Sequence, residues 1–149
     1  PNHFHLLIEE IQERGISRFM HKLGTGYTQY FNKKYERVGG LFQGAFKAVK
    51  VHSDAQLQYL LTYINVINPG QELEPGLKTE ALDPDEVLRF AEHYPWSTHP
   101  EYLGIRDSII IDKGIAGELF STSAQYRKFA EHIIRGKKTV GGPNALLFE

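Results

Sequence analysis

The sequence predicts an α+β domain: an antiparallel sheet with helices packed on it. Two observations point to strands. Over residues 1–9, Phe4, Leu6 and Ile8 alternate with His3, His5 and Leu7, which is the period of an extended chain. Over 41–51, Phe42, Phe46, Ala48, Val49 and Val51 suggest a second strand whose Lys47 and Lys50 reach outward. The third observation supplies the helices: in several segments apolar residues recur at spacings of three and four.

Residues 9–15 are polar and read as helix or loop. Ile16, Phe19, Met20, Leu23, Tyr27, Tyr30 and Phe31 then mark an amphipathic helix with Ser17 available as its N-cap. Gly24 and Gly26 weaken its middle, each by roughly 1 kcal/mol relative to Ala, so a kink is expected there. Gly39-Gly40 makes a turn before the second strand. Ser53 or Asp54 caps the next helix, with Leu57, Leu60, Leu61 and Ile64 as its buried stripe and Tyr59, Tyr63 and Val66 on the neighbouring face. Asn68-Pro69-Gly70 should end it. An acidic loop follows to Leu82. Asp83-Pro84 opens another helix through Val87, Leu88, Phe90 and Ala91, which Tyr94-Pro95-Trp96-Ser97 stops. Ile109, Ile110 and Ile111 suggest a short strand or an apolar plug. A last helix spans 123–134, with Tyr126, Phe129, Ala130 and Ile133 inward.

A chain of 149 residues fits one domain, taken here as 1–135 with 136–149 as a tail. No stretch has the apolar length of a membrane span, so no membrane partner is expected and a cytoplasmic location fits best. Cys is absent, so any metal must be held by nitrogen and oxygen ligands. The net charge of −1 hides an uneven distribution. Lys33, Lys34, Arg37, Lys47 and Lys50 cluster with Glu36 as the only acid among them, and 72–101 is acidic. Whole-chain charge does not argue for nucleic acid, but the basic stretch permits it, with Tyr27, Tyr30 or Tyr35 available to stack on bases, and suits a solvated face equally. Packing inside the helix core is the plainer role for Tyr27 and Tyr30.

Two imidazoles on one face of a strand, His3 and His5, can close on one small cation; the same spacing also occurs on solvated strand edges. Of the remaining histidines, His21, His52, His93, His99 and His132 read as surface or capping residues. Trp96 reads as a core anchor for its loop rather than a platform for a base.

Several segments then fall into one pattern. Pro1-Asn2-His3-Phe4-His5-Leu6-Leu7 resembles the HUH motif of the single-tyrosine transposases, in the branch that includes the REP-associated tyrosine transposases. Gly40-Leu41-Phe42-Gln43-Gly44-Ala45-Phe46-Lys47-Ala48 is similar to a second family segment. So are Tyr63-Ile64 with Asn68-Pro69, and Tyr94-Pro95-Trp96-Ser97 with Tyr102-Leu103-Gly104. The likeness fades after Gly104.

The resemblance implies a ferredoxin-like, HUH-type sheet with the Tyr63 helix packed on it. It implies Mg2+ or Mn2+ at His3 and His5, and Tyr63 as nucleophile on DNA. The function it implies is a transposase or endonuclease that nicks and rejoins single-stranded, hairpin-bearing DNA through a 5′-phosphotyrosine; a non-catalytic remnant that binds structured single strands is the alternative. A homodimer would serve the exchange of two ends. The family usually places a polar third ligand one helical turn beyond the Tyr, where this chain has Ile67. Asn68 falls one place late, and a one-residue π-bulge would bring it round. Ala45 stands where family members commonly carry Arg, and the family's strand-helix-strand segment ahead of the His pair is expected to be missing.

Overall fold

The computed structural model describes residues 3–77 and 83–136. Its helices are α1 (Gly15–Lys34), α2 (Asp54–Thr62), a π-helical turn (Tyr63–Ile67), α3 (Asn68–Gly70), α4 (Pro84–His93), α5 (His99–Leu103), α6 (Gly114–Glu118) and α7 (Ser123–Gly136). No strand occurs among the described residues. The architecture is helical, and the antiparallel sheet of the expected α+β, ferredoxin-like fold is absent from them. Residues 3–9, the described part of the His-x-His strand expected at 1–9, have no regular secondary structure, and 41–51 are bends and irregular chain. Alternation specifies which side chains share a face. It does not supply the second backbone that must pair with each N–H and C=O, and no such partner forms here.

The chain divides into two units, Pro1–Lys50 and Val51–Glu149. In the first, α1 runs unbroken through Gly24 and Gly26 and starts after Arg14 in left-handed conformation (φ 59°), without a side-chain cap, rather than at Ser17. None of its residues is buried. Aromatic contacts organise the unit: Phe42 lies 6.1 Å from Phe4 and 6.3 Å from Tyr27 between ring centres, and Phe31 lies 4.4 Å from Tyr35. The Asn32 amide donates to the Gly39 carbonyl at 2.8 Å, tying the end of α1 to the Gly39-Gly40 turn.

In the second unit the expected caps are in place. Ser53 Oγ accepts from the Gln56 backbone N–H at 3.2 Å, while Gln56 Oε1 accepts from the His52 backbone N–H at 2.7 Å, a reciprocal arrangement like a capping box. Asp83 accepts from the Glu86 backbone N–H at 3.0 Å and Pro84 begins α4. Asn68-Pro69-Gly70 does not end its helix as expected: the chain passes through a π turn and continues as α3. In α register Pro69 would owe a hydrogen bond to the Asn65 carbonyl, and its ring would crowd that oxygen. The widened turn ahead of it relaxes the ladder where the proline would otherwise break it.

Two cores form. Val66, Ile67, Leu77, Val87, Ala91, Ala130 and Ile134 make the first, with Tyr63 packed at its edge. Leu57, Leu61, Tyr102, Ala116 and Tyr126 make the second. Helix α7 packs on α2, α4 and α5 and contributes to both. A Cβ on Gly70 would stand 2.4 Å from Leu77 Cδ2 and 3.0 Å from Val87 Cγ1, so glycine leaves room here for two core side chains.

Two further expectations change. Trp96 is not a core anchor: it is 86% exposed. Arg106 holds its turn instead, donating to the Pro95 and Ser97 carbonyls at 3.2 and 2.5 Å and forking onto Glu101 at 2.7 Å through Nε and Nη2. Ile109 and Ile110 form neither strand nor plug and are exposed. The tail expected at 136–149 lies, beyond Gly136, outside the described residues.

Candidate active site

The residues singled out by sequence fall in both units. In the first, His3 and His5 sit two apart on irregular chain, His3 exposed and His5 half-buried. Their ring centres are 5.0 Å apart with the planes at 85°. Two imidazoles on one cation, each with a metal–nitrogen bond of about 2.1 Å, place their ring centres roughly 4.6–5.3 Å apart at right-angle to tetrahedral geometry. The observed separation falls within that range, on chain with no strand to align the pair. Among the described residues no group of three His, Asp or Glu side chains stands ready to hold a metal. Mg2+ and Mn2+ also accept amide oxygens and water as ligands.

The basic residues Lys33, Lys34, Arg37, Lys47 and Lys50 are all exposed. Lys34 Nζ lies 5.7 Å from the Tyr30 ring centre and 5.4 Å from that of Tyr35, and the Arg37 guanidinium lies 5.6 Å from Phe31. Tyr27 and Tyr30 are 49% and 57% exposed, so they are not the core residues the helix pattern suggested. Alternating cations and open aromatic faces can pair with phosphates and stack on bases.

In the second unit Tyr63 opens the π turn. It is half-buried, its ring against the first core. The backbone N–H of Asn68 bonds to the Tyr63 carbonyl, the i→i+5 pattern that defines the turn. In an uninterrupted α-helix Asn68 would stand about 140° round the axis from Tyr63. The π turn reduces that angle and keeps both residues nearer one side, with Asn68 half-buried. Tyr59, one turn earlier, has its phenol pushed up by burial and then by Tyr63 beside it, which disfavours the phenolate there.

Sequence reasoning missed a buried polar chain next to this turn. Asn65, fully buried, accepts from Thr98 Oγ1 at 2.8 Å and donates to Tyr126 Oη at 3.2 Å. Tyr126 Oη lies 2.7 Å from His99 Nδ1. His99, read as a surface or capping residue, is 2% exposed. Burial, and then the charge of Arg127, lower its pKa from 6.5 to about 4, which favours the neutral ring in this hydrogen bond. Burial also pushes the Tyr126 phenol well above its ordinary value, outweighing the Asn65 hydrogen bond, so this tyrosine is no nucleophile. The one signal in sequence was Tyr126 on the inward stripe of its helix; nothing marked its partners.

Residues 1–66 match the family model described as Transposase IS200 like. The matched stretch holds His3, His5, the five basic residues and Tyr63, and ends two residues short of Asn68. That part of the chain is therefore similar to IS200-like transposases. No curated protein and no solved structure matches the chain. Among the described residues no helix is long and apolar enough to cross a membrane.

Proposed function

We propose that this protein is a divalent-metal-dependent transposase or nickase that cuts and rejoins single-stranded, hairpin-bearing DNA, with Tyr63 as nucleophile. One observation carries the reading: a single transposase-family match spans both the His3/His5 pair and Tyr63. The 5.0 Å spacing of the imidazoles supports the assignment of that pair as ligands of Mg2+ or Mn2+, and Asn68 is proposed as the third ligand. When bound, such an ion withdraws charge from the non-bridging phosphate oxygens.

The chain's own residues do the rest. Lys33, Lys34, Arg37, Lys47 and Lys50 neutralise the DNA backbone. The Tyr63 phenol gives up its proton to water, its oxygen bonds to phosphorus and the bond from phosphorus to the 3′ oxygen breaks. That leaves a 5′-phosphotyrosine and a 3′ hydroxyl, which takes its proton from water. Attack of the same or another 3′ hydroxyl on the phosphotyrosine reverses the step without external energy. Exchanging two ends at once calls for two copies.

The test is incubation of the full chain with a labelled pool of hairpin oligonucleotides and Mn2+, followed by denaturing gels. A covalent adduct is expected, lost in Tyr63→Phe and in His3→Ala/His5→Ala and on chelation. Retention of oligonucleotide with no adduct under any condition would instead establish a binding remnant.

A further inference from the structure

A π turn is rare and persists only where its surroundings over-determine it. Here the middle of the turn is Asn65, which is fully buried and gripped through both ends of its amide. Thr98 Oγ1 donates to Oδ1 at 2.8 Å, and Nδ2 donates to Tyr126 Oη at 3.2 Å. Tyr126 is itself 1% exposed and held at 2.7 Å by His99 Nδ1. Thr98 and His99 belong to the start of α5 and Tyr126 to α7, so two other helices hold this one side chain. A buried amide with one partner removed is left unsatisfied, and the cheapest escape is to rotate the backbone that carries it.

Tyr63 lies two residues before Asn65 on the same turn. Pro69 bars plain α register here, so loosening the turn leaves the rotation of Tyr63 relative to Asn68 unfixed round the axis, by up to about 100°, the step of one residue. We propose that Asn65, Tyr126, His99 and Thr98 are positioning residues: their hydrogen-bonded chain fixes the π turn and with it the direction in which the Tyr63 phenol is presented. This rests on the reading of Tyr63 as nucleophile. None of the four touches DNA or the reacting atoms; they act through the backbone of the turn.

The experiment compares the full-length wild type with Tyr126→Phe, which keeps the ring and removes the hydroxyl, and with Leu119→Ala, a lesion in the second core that breaks no bond of the chain. Three quantities are read: the rate of adduct formation on the hairpin pool with Mn2+, the affinity for the same pool, and amide hydrogen exchange at Asn68, whose N–H bonds to the Tyr63 carbonyl. For Tyr126→Phe the adduct rate should fall at least tenfold with affinity unchanged within twofold, and Asn68 exchange should rise at least tenfold more than in Leu119→Ala. Adduct formation at the wild-type rate overturns the proposal. So does a slowed reaction with Asn68 exchange unchanged, or a rise no larger than in Leu119→Ala. Absence of an adduct in the wild type defeats the nucleophile reading instead, and Asn68 exchange then still decides whether the chain of hydrogen bonds holds the turn.

Discussion

The two units bury their apolar side chains in opposite ways. None of the residues 3–50 is buried, and that unit is organised by aromatic rings that keep about half their surface open. Between Val51 and Gly136 there are two closed cores and a hydrogen-bonded polar chain sealed from water. The division also runs through the chemistry. The imidazoles and the basic stretch lie in the open unit, whereas Tyr63 lies at the edge of a core. Under the proposed function, residues that meet a polyanion must stay solvated until it arrives, so they contribute little to stability. Tyr63, as the proposed nucleophile, would gain a fixed direction from dense packing behind it.

The sharpest way to break this contrast is to cut a side chain in each unit. Ile134→Ala removes a fully buried residue of the first core and should cost about 2–5 kcal/mol in urea denaturation. Phe19→Ala, at a residue 47% exposed on α1, should cost about 0.5 kcal/mol or less. Equal losses would mean that the open unit is cored after all.

A smaller effect comes from pH. His99 has its pKa lowered to about 4 in the folded protein, against 6.5 for the free side chain. Between those values the unfolded chain binds the extra proton and the folded chain does not, so stability is full above pH 6.5 and falls as the pH drops towards 4. The loss should approach about 3 kcal/mol and then level off. Thermal melts of the wild type against His99→Gln across that window check it: the slope from this group should vanish in the variant.

The smallest expected effects come from two glycines. Gly70→Ala forces a methyl against Leu77 and Val87 and should destabilise by about 1–3 kcal/mol. Gly26→Ala, where nothing lies within 4 Å of the added carbon, should stabilise α1 by about 0.5–1 kcal/mol. The same denaturation series reads both, and opposite signs are the expected result.

Much of the second unit was legible before any coordinates. Ser53 with Gln56 three places on, and Asp83 before Pro84, announce helix starts because the capping partner is local in sequence. The inward stripe of α7 follows from period alone. The helix through Tyr63 was legible too, and with it the need for an extra residue per turn if Asn68 was to come round. The first unit misled for the converse reason: the patterns at 1–9 and 41–51 suggest strands, yet a strand exists only with a partner.

The sequence alone determined which residues could do chemistry: two imidazoles one residue apart, a cluster of cations and a phenol on a helix. Their types and spacings are properties of the chain, and no packing changes them. Tertiary structure alone decided that Trp96 faces solvent, that His99 is buried and neutral, and that Asn65 is held by Thr98 and Tyr126. Those outcomes depend on contacts across 33 and 61 residues of chain, a distance over which local pattern carries no information.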